Sequence, residues 1–457
     1  MAMLEMIFIA LAIVTVLGAL VFTLDDLFID VQAFVRGLKP QRVAVDYIAK
    51  IKRNPQKQIA ILIANWKEAE IITPMIRGNL RGLEYNNYVF FLGVYPNDNA
   101  TVVAAQNLQA AYPNKIQVVI NSHEGPTSKG QMLNEVARQI FSFEKKLGKT
   151  FDLFLMQDSE DVLHPHSLSL LNEVSRDADF VQIPVFSFDV PRSSLVGGVY
   201  IDEFAESHTK DLLVREAMGA AVPSAGVGTL LSRHLILGMM QAQDGCFLKE
   251  DTLTEDYHLG MMAKKLGFKS KFACVQYEKE DGKKEFIATR EYFPDVMSAS
   301  MRQKSRWTLG IAFQGTENLQ WQGRLVDKYF MWRDRRSPFN SILILLSVIL
   351  LIGFVILDQE NFLQGKLFQA LLGLNLFNMV VRLAQRMRAV ALTNAKHHVV
   401  LVPVRWFVAN IVNVGATWKA YRQFSESKKT GKRPVWIKTE HRMPEHFGHD
   451  IKVQVIQ

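Results

Sequence analysis

Phe151-Asp152-Leu153-Phe154-Leu155-Met156-Gln157-Asp158-Ser159-Glu160-Asp161 decides how this chain is read. The apolar run from Phe151 to Met156 has the length and composition of a buried strand, and it is followed at once by Asp158, Glu160 and Asp161. Upstream, Ile59 to Ala64, Tyr88 to Tyr95 and Ile116 to Ile120 are runs of the same kind. Ala69 to Asn79, Thr101 to Ala111 and Gln131 to Lys146 lie between them and have helical composition. Strands alternating with helices predict an α/β domain of layered architecture. Ligand groups in such sheets collect in the loops at the carboxyl ends of the strands, and the polar residues fall there. Glu68 follows the first strand in Asn65-Trp66-Lys67-Glu68, and Asp98 follows the second in Tyr95-Pro96-Asn97-Asp98; for either acid alone a capping or turn role fits equally well. A short strand from Phe180 to Pro184 would carry Gln182 to the same border.

Three further segments carry chemistry. Thr254-Glu255-Asp256 offers a carboxylate that could take a proton from a hydroxyl, and an N-cap threonine followed by acids in a first helical turn has the same composition. Gln303-Lys304-Ser305-Arg306-Trp307 puts Gln303, Arg306 and Trp307 on one side of a helix, with a guanidinium for an anion and a ring for a sugar face. Lys129 stands in Thr127-Ser128-Lys129-Gly130-Gln131 at a helix start, where an ammonium and free N–H groups can meet a diphosphate; a solvated lysine is the alternative. Gly228 and Thr229 close the small-residue stretch from Ser224 to Thr229, which would let a ligand approach the backbone closely; an ordinary loop is the alternative. His258 is a titratable neighbour of Asp256 that nothing but its side-chain type recommends.

Apolar residues make up 49% of the 457, enough for a soluble core and several membrane helices. Residues 6–24 carry no charge and are followed by Asp25 and Asp26, which reads as an uncleaved anchor. Ser337 to Leu357 and Leu367 to Val381 are further uncharged runs, the latter short for a span, and Val399 to Trp418 is apolar but interrupted by Pro403 and Arg405. Basic residues cluster before the second run (Arg324, Lys328, Arg333, Arg335, Arg336) and after the third (Arg382, Arg386, Arg388). By the positive-inside rule the large domain is cytosolic, Asp358 to Lys366 is a short outer turn, and Val399 to Trp418 lies along the interface or dips in and returns. This placement accounts for the net charge of +8 without nucleic acid, for which no binding motif is present. Two cysteines, Cys246 and Cys274, suit a reducing compartment.

The order of Asp158-Ser159-Glu160, Thr254-Glu255-Asp256 and Gln303 to Trp307 resembles the D-x-D/E, T-E-D and Q-x-x-R-W signatures of membrane-embedded family 2 glycosyltransferases, the group of cellulose and hyaluronan synthases. Tyr95 to Asp98, Asp202 to Glu206, Ser224 to Thr229 and Val435 to His441 further resemble bacterial glycosyltransferases of the phage adsorption protein B type. The resemblance implies a GT-A (Rossmann-like) α/β domain with transmembrane helices in the bacterial inner membrane, multi-pass. It implies an anchor at 1–30, the cytosolic GT-A domain at 31–320, a basic interfacial linker at 321–336, membrane helices at 337–418 and a basic cytosolic tail at 419–457.

The same resemblance implies inverting transfer from a UDP-sugar to a growing surface polysaccharide. Asp256 would be the base, supported by Glu255 and Thr254. Glu68, Asp98, Lys129, Asp158, Gln303 and Arg306 would hold the nucleotide and its diphosphate, while Trp307, Gln182, Gly228 and Thr229 would face the acceptor. Leaving diphosphate oxygens gain negative charge, so Asp158 and Glu160 would hold Mg2+ or Mn2+, hard cations that prefer carboxylate oxygens. Single-sugar transfer to a lipid carrier, or a non-catalytic role in export or phage-receptor assembly, are the competing readings. With three expected spans, export would call on a homo-oligomer or an outer-membrane partner. Longer members of the type carry a cyclic-di-GMP-binding domain, for which little sequence follows His441 here.

Overall fold

Ile59, Ala60, Ile61, Leu62 and Ile63 are all completely buried, so this unalternating run forms a central strand covered on both faces. The computed structural model describes residues 2–357, 365–394 and 396–431. Residues 358–364 of the expected outer turn and the Val435 to His441 segment lie outside the described residues.

Thirteen strands occur among the described residues: β1 Gln41–Val43, β2 Ile59–Ala64, β3 Tyr88–Val94, β4 Ile116–Ile120, β5 Leu153–Gln157, β6 Val162–Leu163, β7 Phe180–Gln182, β8 Val185–Ser187, β9 Thr229–Ser232, β10 Ser270–Phe272, β11 Val275–Glu278, β12 Lys284–Phe286 and β13 Thr289–Glu291. The main sheet has the order β10-β7-β9-β5-β2-β3-β4. β9 runs antiparallel to both β5 and β7, and the other neighbours are parallel. The four strands read from sequence are β2 to β5, displaced by at most two residues at an end. Helices Ala69–Gly82, Asn99–Ala111 and Lys129–Leu147 are the expected ones, each slightly longer. Ser128 begins the last of these by accepting from Gln131 N–H, and Gly148 ends it in the left-handed conformation.

Two three-stranded sheets flank this core, β1-β11-β12 and β6-β13-β8. The second matters for the cleft, because β6 starts directly after the Asp158 to Asp161 turn.

Met6–Val35, Lys366–Thr393 and Lys396–Thr430 are long and apolar enough to cross a membrane, and Ser337–Gly353 passes only together with Leu325–Arg335, from which it is bent by 46°. The Lys366 helix runs well beyond Val381, where the uncharged sequence stops. Its extra turns are charged because they are paired: Arg386 meets Glu206 at 2.9 Å and Arg382 lies 3.3 Å from both Asp26 and Glu206. Asp25 is bound by Arg333 and Arg336, and Asp26 by Arg336 at 2.5 Å. Asp25 and Asp26, in the second half of the first helix, thus clamp it to the basic segment before the Ser337 helix.

The Lys396 helix meets the α/β domain along its whole length. His398 contacts Asp189 near one end, Lys304 reaches Asn413 in the middle at 3.0 Å, and Lys428 pairs with Glu317 near the other at 2.6 Å. His398, Val402, Arg405, Ala409, Val412, Ala416 and Ala420 form one buried stripe, while Val400, Val404, Phe407, Ile411 and Trp418 are exposed. Length and composition alone would permit a span, but contact with the domain at both ends makes this helix lie against it. Pro403 sits inside the helix without ending it, and Arg405 is fully buried with Nε and Nη2 on Asp202 at 2.9 and 2.5 Å.

Arg405→Met should cost about 3–5 kcal/mol, because Asp202 would keep a buried charge without its partner. Thermal unfolding midpoints in lipid nanodiscs measure this, and adding Asp202→Leu to Arg405→Met should recover part of the loss.

Candidate active site

Lys129 opens the Lys129–Leu147 helix and extends into a cleft at the carboxyl ends of β2 and β5. Its ammonium is bound to Asp158 and donates to the carbonyl of Gly226 at 3.3 Å. Burial alone would lower the affinity of this lysine for its proton, but Asp158, Glu255 and Asp256 outweigh it and hold the ammonium charged. The cleft is open to solvent at its mouth and holds a cavity of about 160 Å3.

Of the residues singled out from sequence, Glu68, Lys129, Asp158, Glu160, Thr254, Glu255, Asp256, Gln303, Arg306 and Trp307 line this one cleft. They come from loops and helices separated by more than two hundred residues, and the sheet topology brings them together. Asp98 does not line it. Its Oδ2 accepts from Lys67 N–H at 2.6 Å and its Oδ1 from Thr101 N–H, so it caps the Asn99 helix and holds the turn at Lys67, whose φ is 57°. Gln182, Gly228 and Thr229 lie beneath the cleft as a support. Gln182 donates to Ile183 and Val227 carbonyls at 2.8 Å and accepts from Ala225 N–H and the Thr229 hydroxyl, which shapes the loop from Ser224 to Thr229.

That loop needs its small residues for a reason the sequence did not reveal. Gly226 has φ 80°, and a Cβ there would sit 2.7 Å from Asp256 Oδ2. The close approach is therefore made by the carboxylate of Asp256, which the loop covers. Burial raises the pKa of Asp256, with Asp158 adding to the rise and Lys129 and the Tyr257 N–H opposing it. Burial and the Asp256 charge push Glu255 up to about 7. Thr254 Oγ1 and Gln303 Oε1 are buried acceptors in the cleft wall without a hydrogen-bond partner. His258 is outside the lining, and burial followed by the Lys249 charge depresses it to about 4, so it stays neutral near neutrality.

Trp307 stands against aromatic neighbours: Tyr200 at 6.1 Å and Phe204 at 6.2 Å between ring centroids, with Phe293 stacked on Tyr200 at 4.7 Å. Tyr200 OH is hydrogen-bonded to Ser300 Oγ at 2.9 Å, which ties this wall to the helix carrying Gln303 and Arg306.

The acid turn after β5 is held by its own backbone. Asp158 N–H donates to Asp161 Oδ2 at 2.8 Å and Ser159 Oγ to Glu160 Oε2 at 3.1 Å. Asp161 Oδ1 is buried without a hydrogen-bond partner, and burial plus Asp158 and Glu160 holds Asp161 well above the usual carboxylate range. Asp158 and Glu160 line the cleft beside this buried acid and are the residues that would hold a hard divalent cation. Glu291, which sequence reasoning missed, also lines the cleft from β13. Its strand is too short to be seen as one, and only the pairing of β13 with β6 and β8 reveals its position.

The model of the family described as glycosyltransferase like family 2 matches residues 55–310, more than half of the chain. The chain belongs to this family of glycosyltransferases. The glycosyltransferase is 35% identical over 474 aligned residues to Bacteriophage adsorption protein B of Escherichia coli (strain K12) and to Bacteriophage N4 adsorption protein B of Escherichia coli O157:H7, covering 97% of this chain. It spans 63% of the length of those curated relatives. Among solved structures it resembles the mannosyltransferase PcManGT from Pyrobaculum calidifontis, described in complex with GDP-Man and Mn2+, with a TM-score of 0.54 and 12% identity over 91% of this chain and 99% of that one. That likeness concerns the fold, which is GT-A-like as the motifs implied.

Glu255 binds its proton more tightly in the folded chain than its ordinary value of 4.5. Its contribution to stability is therefore complete below about pH 4.5 and is lost as pH rises to about 7. Glu255→Gln should match the wild type in unfolding midpoint near pH 4.5 and exceed it above pH 7, by on the order of 1–3 kcal/mol. Unfolding scans across that pH range test this.

Proposed function

We propose that this glycosyltransferase moves a sugar from a UDP-sugar onto a growing surface polysaccharide with inversion, at the bacterial inner membrane. The observation that carries the reading is the meeting of two cations, Lys129 and Arg306, with a covered carboxylate, Asp256, and an aromatic wall around Trp307 in one cleft.

Lys129 and Arg306 bind and orient the donor diphosphate through charge-assisted hydrogen bonds. A divalent cation between Asp158 and Glu160 would supply charge neutralisation as the diphosphate leaves. Trp307 offers a face to the acceptor sugar, and the Tyr200, Phe204 and Phe293 rings hold it in place. The acceptor hydroxyl oxygen forms its bond to the anomeric carbon as the bond to the diphosphate oxygen breaks on the opposite side. Asp256 takes the hydroxyl proton, and one displacement of this kind inverts the anomeric centre. Its raised pKa suits that exchange, because a base too acidic would take the proton poorly. Glu68 borders the nucleotide end of the cleft, next to Trp66 and Asn65.

The domain from 31 to 320 would face the cytosol. Residues 1–30 would anchor it, the basic linker at 321–336 would lie at the bilayer surface, and the two helices Ser337–Leu357 and Lys366–Thr393 would span as a hairpin. The exposed apolar edge of the Lys396 helix, with Phe407 and Trp418, would rest in the interface, with a basic tail following it on the cytosolic side. A UDP-sugar, a polysaccharide or lipid-linked acceptor and the bilayer are the partners of this reading, and an oligomer or outer-membrane protein would complete export.

Asp256→Asn should keep nucleotide binding while nucleotide release with acceptor falls by about 10²–10⁴-fold. Release from a panel of UDP-sugars by protein in nanodiscs measures it, and undiminished turnover would remove Asp256 from the mechanism. Trp307→Ala should reduce sugar transfer by at least about tenfold while leaving donor hydrolysis largely intact. Product length read on a gel separates a polymer from the single-sugar lipid product.

A further inference from the structure

The helix Met297–Thr308, which carries Gln303, Arg306 and Trp307, does not stop at Thr308. A wide π turn, Leu309–Gln314, continues it into Gly315–Leu319, and turns of this kind are frequent at functional sites. Gln314 closes the turn. It does not line the cleft itself, but its Oε1 accepts from Leu253 N–H at 3.0 Å and from the Thr252 hydroxyl at 3.3 Å. Leu253 N–H can only donate, which fixes the orientation of the Gln314 amide. Thr252 Oγ1 also accepts from Thr254 N–H at 3.5 Å, so the restraint runs on to the residue before Glu255 and Asp256. Thr252, Leu253 and Thr254 all border the cleft.

The same turn touches Thr254 directly. A Cβ at Gly310 would collide with the Thr254 side chain, so glycine is what lets the two segments close. Gly310 and Gln314 thus hold the stretch from Thr252 to Thr254 at two points. The turn is in turn backed by the Lys396 helix: Phe313 stacks on Phe424 with 5.0 Å between ring centroids, and Glu317 pairs with Lys428 at 2.6 Å.

We propose that Gln314 is a positioning residue for sugar transfer: by holding Leu253 and Thr252 it fixes the loop that delivers Thr254, Glu255 and Asp256 to the cleft, in register with Arg306 and Trp307 on the same helical run. The inference rests on the reading of Asp256 as the base. Removing the Gln314 oxygen leaves the Leu253 N–H without an acceptor, a cost that favours opening of the loop. A base displaced by even a small distance loses rate, while Lys129 and Arg306, which the loop does not carry, keep their hold on the nucleotide.

Hydrogen–deuterium exchange of the full chain in nanodiscs tests the restraint without using turnover. Gln314→Met, similar in length but without an accepting oxygen, should speed exchange of the amides from Thr252 to Asp256 by at least about fivefold, with the Lys129–Leu147 helix unchanged. Gln314→Glu, which keeps an accepting oxygen at the same reach, should exchange like the wild type. With a UDP-sugar that the wild type turns over, Gln314→Met should lower kcat by about tenfold or more while donor KM moves by less than about twofold, and Gln314→Glu should recover most of the rate. Unchanged exchange in Gln314→Met, faster exchange with wild-type kcat, or equal losses in both variants would overturn the proposal. A wild type that releases nucleotide from no UDP-sugar would count against the reading of the function, and the exchange comparison would still decide whether Gln314 holds the loop.

Discussion

Mutual repulsion among carboxylates around Lys129 is the constraint on which this cleft depends. Asp158, Glu160, Glu255, Asp256 and Glu291 would push the loops apart if all were ionised and unpartnered. The chain answers with one ammonium bound to Asp158, a proton retained on Glu255 up to about pH 7, and backbone N–H groups directed at Asp161 and Asp256. These arrangements leave the cleft short of positive charge. Such a site gains most from a ligand that brings cation and diphosphate together, which is the chemistry of a nucleotide-sugar transferase.

The same logic of paired charge builds the seam between the α/β domain and the long apolar helices. Asp25 and Asp26 close on Arg333, Arg336 and Arg382, Glu206 closes on Arg386, and Asp202 on Arg405. Buried pairs of this kind add little net stability but penalise any other register heavily, since each slip strands a charge. They set the Leu195–Glu206 helix in place, and that helix carries Tyr200 and Phe204 to the wall beside Trp307. The long apolar helices and the aromatic wall beside Trp307 are therefore parts of one packed unit.

Much of this was legible in the sequence. Strands β2 to β5 announce themselves as apolar runs because they are buried on both faces, and the motifs at their ends mark the cleft. Asp158, Asp256 and Arg306 could be named because they sit in short, ordered signatures. Glu291 could not, since β13 has three residues and its meaning comes from a ladder to strands more than a hundred residues earlier. The residues alone let Asp98 be a cap as readily as a ligand, and the structure has it capping the Asn99 helix. The resemblance implies that Gln182 and Thr229 face the acceptor, while the structure has them under the loop that covers Asp256. Arg405 read as an interruption of an apolar stretch, because its partner Asp202 is two hundred residues away.

The most direct test is a structure of the protein in nanodiscs with Mn2+ and UDP, determined by electron cryomicroscopy. This account predicts the metal between the Asp158 and Glu160 carboxylates, the diphosphate between Lys129 and Arg306, and Asp256 facing the open side where an acceptor would enter. Nucleotide bound elsewhere, or bound in the cleft with its diphosphate against Asp256, would contradict it.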